Sequence, residues 1–327
     1  MAFIPIILAL TVLSGCARPV MYPGRQDYTT RGSVVKQENY HEESAHYRSS
    51  NVLISPNDRD RDTASIKYLE SKKSGKQRFV IILPIYGSVE FIAAAMASRL
   101  TDLNENADFN VAVIKERGDL FDWDALAECR TEKEFRILLN ESAKRFWMAV
   151  KEVQDVIDWA HKQPTIDTDK IGIVGFSLGG MVAAYAMGID GRISAGAFVM
   201  SGGDPHEIFA YSEVGFIKKV RKNALKRFIK TPAEFKNIVE EILSPINPNQ
   251  FAQGIPPEKV LIFEAKFDTY IPQSSRENFW KAFHKKSQVP LRVTFPHGHM
   301  MSFRYITPFW RNFMDINIAA FLRKTLK

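Results

Sequence analysis

Apolar residues along this chain follow two alternating rhythms. Short runs rich in apolar residues at 79–84, 110–114, 170–174, 195–200, 259–263 and 291–295 have the length and β-branched content of strands. Between them, apolar positions recur every three to four residues, the spacing of amphipathic helices. The clearest such stretch opens at Thr131, where Glu134 completes a capping box. It runs towards Trp159 with Phe135, Leu138, Leu139, Phe146, Ala149, Val150, Val153 and Ile157 on one stripe. That stripe is core, and Trp147 and Trp159 belong with it. Strand runs alternating with helical ones predict an α/β fold built on a doubly wound, mostly parallel sheet.

One interval breaks the rhythm. The stretch 201–258 is too long for a loop between two sheet strands and holds two helical patterns of its own. In the second, Thr231-Pro232-Ala233-Glu234 supplies an N-cap, an N1 proline and a capping-box glutamate. Phe235, Ile238, Val239, Ile242 and Leu243 follow at helical spacing. The first, 217–230, sets Lys218, Lys219, Arg221, Lys222, Lys226, Arg227 and Lys230 against Val220, Ala224, Leu225 and Phe228. An insertion placed after a sheet strand lies over the edge where the connecting loops gather, so 201–258 is expected to be a helical cap that helps select substrate. Phe209, Tyr211 and Phe216 would either line an apolar substrate site or seal the cap to the core.

Those loops carry the chemistry. Gly175-Phe176-Ser177-Leu178-Gly179-Gly180 follows a strand run and precedes a helical pattern, a G-x-S-x-G string in the strand-turn-helix setting of a nucleophile elbow. Such a sharp turn needs neighbours without Cβ atoms, and it would lift the Ser177 hydroxyl clear of the sheet. A serine becomes a nucleophile only with a base and a group that holds the base, so an acid and a histidine are required later in the chain. Asp268 stands beyond the strand run 259–263, and His297 and His299 stand beyond the run 291–295. Glu264 is a rival acid, nearer its strand and better placed for a structural role.

Taken together, the elbow, Asp268-Thr269-Tyr270-Ile271-Pro272 and Gly298-His299 resemble the α/β-hydrolases of the dienelactone-hydrolase or prolyl-oligopeptidase-like branch, over roughly residue 79 to the end. The resemblance implies an α/β-hydrolase sheet with a helical cap. It also implies a catalytic triad of Ser177, Asp268 and His299, with His297 as the alternative base. One oxyanion donor would be the backbone N–H of Leu178. The other would come from the loop 84–88, where Tyr86-Gly87 stands in place of the His-Gly of many relatives, which points to Ser88 or to Tyr86. The implied activity is cleavage of carboxylic esters through an acyl-enzyme. An acyltransferase or amidase could use the same triad, and a non-catalytic envelope binding protein could keep the fold.

The N-terminal apolar run 3–12 is too short to span a bilayer and ends in Leu13-Ser14-Gly15-Cys16, which resembles a bacterial lipobox, although no Lys or Arg precedes it. The expectation is a signal segment at 1–15, a lipidated Cys16, a polar flexible tether over 16–51 and a hydrolase domain over 52–327. Ala17 rather than an aspartate after the cysteine points to the outer membrane, facing the periplasm. A tether of that length reaches about 35 Å. Short edge strands could begin near Ser33-Val34-Val35 or Asn51-Val52-Leu53-Ile54.

Composition adds one constraint. The 327 residues carry 45% hydrophobic side chains and a formal charge of +7, which the seven cations of 217–230 match. That segment is a solvated cap face or a surface for anionic lipid. No nucleic-acid-binding module accompanies the charge, no metal-ligand motif or P-loop is present, and the mechanism needs no cofactor. Cys129 is the sole cysteine besides Cys16, so a mature lipoprotein would hold no internal disulfide.

Overall fold

A computed structural model describes residues 33–38, 46–56, 64–86, 90–102, 108–115, 118–299 and 308–327. Its strands are β1 (Ser33–Glu38), β2 (Tyr47–Pro56), β3 (Ala64–Ser71), β4 (Gln77–Leu83), β5 (Phe109–Ile114), β6 (Ile166–Phe176), β7 (Ile193–Val199), β8 (Val260–Ala265) and β9 (Leu291–Phe295). They form one nine-stranded sheet in the order β1-β2-β3-β5-β4-β6-β7-β8-β9. β1, β2, β3 and β5 pair antiparallel, and every pairing from β5 through β4 to β9 is parallel. The order reverses at β4, with β5 on one side and β6 on the other. In an open parallel sheet that reversal leaves a crevice at the carboxyl ends of the strands, where ligands bind.

The side-chain alternation of β4 shows how the sheet is covered on both faces. Phe79, Ile81 and Leu83 belong to one buried cluster with α3 (Glu132–Ala160) and α4 (Leu178–Ile189). Val80 and Ile82 belong to the other, with α1 (Glu90–Asp102) and α10 (Pro308–Thr325). Trp159 on the α3 stripe is 1% exposed and meets Tyr68 edge-on with ring centroids 4.8 Å apart, which places it in the core.

The expected helix starts are present with a small change of geometry. Thr131 Oγ1 accepts the Glu134 N–H at 3.2 Å, but the Glu134 carboxylate takes the N–H of Arg130, one residue outside the cap. Thr231 and Glu234 repeat this arrangement with Lys230 at the start of α7 (Pro232–Leu243).

The interval between β7 and β8 holds α5 (Pro205–Tyr211), α6 (Gly215–Arg227), α7 and the short α8 (Asn249–Ala252). α5 and α7 pack together, and α6 packs on α2 (Trp123–Glu128), a helix from the connection after β5. The roof over the sheet edge is therefore built from two chain segments, of which the sequence pattern announced one. The basic side of α6 also needs revision. Arg221 donates to the carbonyls of Phe209 and Ser212, and Arg227 to those of Ala127 and Cys129, so two of the seven cations fasten the helix to its neighbours.

The expected tether over 16–51 is corrected at its C-terminal half. β1 and the first residues of β2 lie within it, paired antiparallel from Ser33 with Pro56 to Glu38 with Asn51. Tyr47, Val52 and Ile54 are buried. β1 begins at the Ser33-Val34-Val35 start and β2 contains the Asn51-Val52-Leu53-Ile54 run, the two edge-strand positions the sequence offered. The signal segment 1–15, Cys16 and the rest of the tether to residue 32 lie outside the described residues. Among the described residues no helix is long and apolar enough to cross a membrane.

Candidate active site

Ser177 occupies the single position between β6 and α4, with φ 50° and ψ −117°. A serine with positive φ carries strain of about 1–3 kcal/mol, which the surrounding packing must hold. The neighbouring glycines show how. A Cβ on Gly175 would stand 2.3 Å from the Gly179 carbonyl oxygen, and one on Gly179 would stand 2.0 Å from the carbonyl oxygen of Pro84. The first turn of α4 is thus pressed both onto the end of β6 and onto the loop leaving β4. Leu178 is the first residue of α4, so its N–H belongs to the turn whose amides have no partner inside the helix.

The loop after β8 carries Asp268. Asp268 Oδ1 accepts the N–H groups of Tyr270 and Ile271 at 2.8 and 2.9 Å, which aims Oδ2 at His299 Nδ1, 2.7 Å away. His299 Nε2 lies 3.1 Å from Ser177 Oγ. With the Nδ1 proton donated to Asp268, Nε2 is the acceptor for the serine hydroxyl. Tyr270 stacks on the imidazole with centroids 4.9 Å apart and planes 15° from parallel. Asp268 and His299 are both buried. The structure thus brings together Ser177, Asp268 and His299 in one hydrogen-bonded line.

The two rivals stand elsewhere. Glu264, on β8, accepts from Arg292 at 2.6 Å and from the Thr294 hydroxyl at 2.8 Å, both on β9. His297 does not border the cavity that holds Ser177 and His299. Its carbonyl accepts the Phe267 N–H at 3.0 Å and ties the histidine loop to the acid loop.

Arg276, on α9 (Gln273–Ala282), was not legible as a site residue. It is buried and donates to the carbonyls of Ala265 at 2.8 Å and Ile271 at 3.1 Å, clasping both ends of the loop that carries Asp268. An arginine on a largely polar helix gives no sequence signal for such a clasp.

Above Ser177 opens a cavity of about 500 Å³. Its floor is Ser177, Leu178, Met181 and His299, with Ile85 and Tyr86 from the loop after β4. Tyr86 therefore reaches the site, while its companion Ser88 lies outside the described residues. Ile208 and Phe209 of α5 and Phe216 and Ile217 of α6 form the roof, joined by Phe121 and Trp123. Trp123 packs on Phe121, Phe209 and Phe216 with centroids 4.9, 5.5 and 4.9 Å away. Asp119, Asp122 and Asp124 stand at the rim, and the Asp122 carboxylate caps α2. Among the described residues no group of His, Cys, Asp and Glu side chains converges as a metal site.

A buried carboxylate ties the roof down. Burial alone would raise the pKa of Glu207 on α5, but hydrogen bonds from Lys236 on α7 and from the Ser274 hydroxyl on α9, with the Lys236 charge, hold it below the usual carboxylate range.

A family model described as Phospholipase/Carboxylesterase matches residues 131–219, which span α3, the serine turn and the start of the roof. A search of curated protein sequences finds no match. Among solved structures, acetyl xylan esterase 1 from Thermoanaerobacterium sp. JW/SL YS485 superposes with a TM-score of 0.60 at 15% identity, covering 89% of this chain and 88% of that one. The acetyl xylan esterase from Paenibacillus sp. R4 gives 0.61 at 13% identity over 90% of both chains. The Pyrococcus horikoshii acylaminoacyl peptidase gives 0.60 at 15% identity over 86% of this chain and 42% of that one. By its sheet order, its covering helices and these likenesses, this chain is an α/β-hydrolase in fold.

Proposed function

We propose that the chain is a serine hydrolase that cleaves carboxylic esters through an acyl-enzyme. The observation that carries this reading is the line from Ser177 Oγ to His299 Nε2 at 3.1 Å and from His299 Nδ1 to Asp268 at 2.7 Å. In this mechanism His299 takes the hydroxyl proton as Ser177 Oγ attacks the ester carbonyl. The Leu178 N–H and an amide of the loop 84–88 hold the resulting oxyanion, each such donor lowering the barrier by about 3–4 kcal/mol. His299 returns the proton to the departing alcohol oxygen. Water then attacks the acyl-enzyme by the same route, releasing the acid and restoring Ser177. Asp268 holds the imidazole in the required tautomer and balances its transient charge. The aromatic roof suits a substrate with an apolar portion, and the phospholipase/carboxylesterase likeness supports an ester as the scissile bond.

The envelope tether belongs to the same reading. Cys16, made the first residue of the mature chain and lipidated, would hold the domain at the membrane, and fatty acid that labels wild type but not Cys16→Ser tests it. Turnover of p-nitrophenyl esters tests the chemistry. Wild type should release a burst of nitrophenol followed by steady turnover, Ser177→Ala and His299→Ala should each lose about a thousandfold or more, and His297→Ala should keep its rate. Equal rates in Ser177→Ala and wild type would overturn the assignment.

A further inference from the structure

Three of the large apolar side chains that stand exposed among the described residues meet on the active-site edge: Tyr211 at 55%, Phe216 at 45% and Phe267 at 61%. The hydrogen bond from Glu213 N to Thr269 O, 2.9 Å long, brings them together. Tyr211 and Phe216 lie two residues before and three after Glu213, and Phe267 lies two before Thr269. At no more than about 3.6 Å per residue, all three stay close to that bond. Phe216 also borders the cavity above Ser177, so the patch adjoins it.

Lysines accompany two of the rings. Lys236 Nζ lies 5.5 Å from the Tyr211 ring centre and Lys266 Nζ 5.5 Å from that of Phe267. Lys218, Lys222 and Lys226 follow one another at intervals of four along α6, one above the next on its outer side. Carboxylates answer some of these charges: Lys218 pairs with Glu213, Lys219 with Asp124 and Lys236 with Glu207, and Asp119 and Asp122 stand at the rim. Lys222, Lys226, Lys230 and Lys266 are exposed and engage no ion pair among the described residues.

Exposed aromatic rings that share a helix or loop with exposed lysines suit the boundary of an anionic bilayer, where rings enter the headgroup layer and lysine stems keep their charge in water. A surface that is merely acidic would answer the lysines but not the three rings. We infer that this edge docks on anionic lipid and sets the cavity mouth against the membrane. The docking is independent of the ester-hydrolase reading; that the cavity there receives a lipid ester rests on it.

The test uses the full chain carrying Ser177→Ala, so that no lipid is consumed, and Cys16→Ser, so that none is attached. Cosedimentation is measured with phosphatidylcholine vesicles, with and without phosphatidylglycerol, and retention on an anionic polymer in parallel. Binding should require phosphatidylglycerol and fall with salt. The triple variant Lys222→Gln, Lys226→Gln, Lys266→Gln should bind about a hundredfold more weakly, at about fivefold per cation near the surface. Tyr211→Ser with Phe267→Ser should weaken vesicle binding while leaving polymer retention unchanged, a result that a merely electrostatic face would not give. Absence of vesicle binding, equal binding to neutral vesicles, or aromatic variants that bind like their parent would overturn the inference. Because binding and not turnover is read, none of these outcomes depends on the triad assignment.

Discussion

Replacing Asp268 with asparagine separates the orientation of the base from everything else at the site. Asp268 Oδ1 is held by the N–H groups of Tyr270 and Ile271, both donors, so the asparagine carbonyl oxygen must stay there. Its amide nitrogen then takes the place of Oδ2, 2.7 Å from His299 Nδ1. Two N–H groups cannot face each other at that distance, so the imidazole carries its proton on Nε2 instead. That nitrogen, 3.1 Å from Ser177 Oγ, can then no longer accept the hydroxyl proton. The same change of tautomer in a serine protease triad lowers turnover about ten-thousandfold, or about 5.4 kcal/mol of barrier. The fold should scarcely notice: the exchange is isosteric, both backbone bonds survive, and urea unfolding should move by less than about 1 kcal/mol. The assay is kcat on p-nitrophenyl butyrate beside that urea curve, with Glu264→Gln as the companion. That variant weakens the pairings with Arg292 and Arg276 and should cost stability, while the hydrogen bonds from Arg276 to the Ala265 and Ile271 carbonyls keep the Asp268 loop in place and most of the turnover with it. Turnover in Asp268→Asn above about a tenth of wild type, or an equal collapse in Glu264→Gln, would refute the reasoning.

Other expectations follow from single contacts. Gly179→Ala places a Cβ 2.0 Å from the Pro84 carbonyl, so the start of α4 or the loop after β4 must shift; turnover should fall at least tenfold, with about 1–3 kcal/mol lost in thermal unfolding. Ile208→Trp should fill part of the cavity roof and shift preference along a p-nitrophenyl ester series towards shorter acyl groups, at about tenfold or more per excluded methylene. For Glu207 the folded pKa lies below the unfolded one, so its stabilisation is complete above the ordinary glutamate range and is lost as pH falls through the folded value. Glu207→Gln should therefore be less stable than wild type at neutral pH by about 1–2 kcal/mol, and the gap should close on acidification, as followed by urea midpoints against pH.

What could be read from the residues was what is local. The serine turn needs glycines because α4 starts one residue after β6 ends, and that crowding leaves its mark in five consecutive letters. The aspartate and histidine loops are legible for the same reason: each follows a strand run closely. The edge strands were harder. Ala64–Ser71 alternates residues buried on the sheet with polar ones, and in a charged context that alternation is weak. Trp123 and Phe121 gave no warning that they would roof the site. They lie on a short segment after β5, and only the sheet topology carries that connection to the same edge as α5 and α6. Charge counting also misled in one respect. Arg221 and Arg227 look like members of a basic face until their backbone partners on α5 and around α2 are seen, since helical spacing records direction but not what waits there.

The central claim is that Ser177 is an activated nucleophile, and covalent labelling tests it most directly. Wild-type protein, folded by circular dichroism, is treated with a fluorophosphonate and digested, and the modified peptide is located by mass spectrometry. The expected result is one phosphonylated residue, Ser177, with labelling abolished in Ser177→Ala and slowed by orders of magnitude in His299→Ala. A folded wild type that takes no label, or takes it with Ser177 unmodified, would contradict the account.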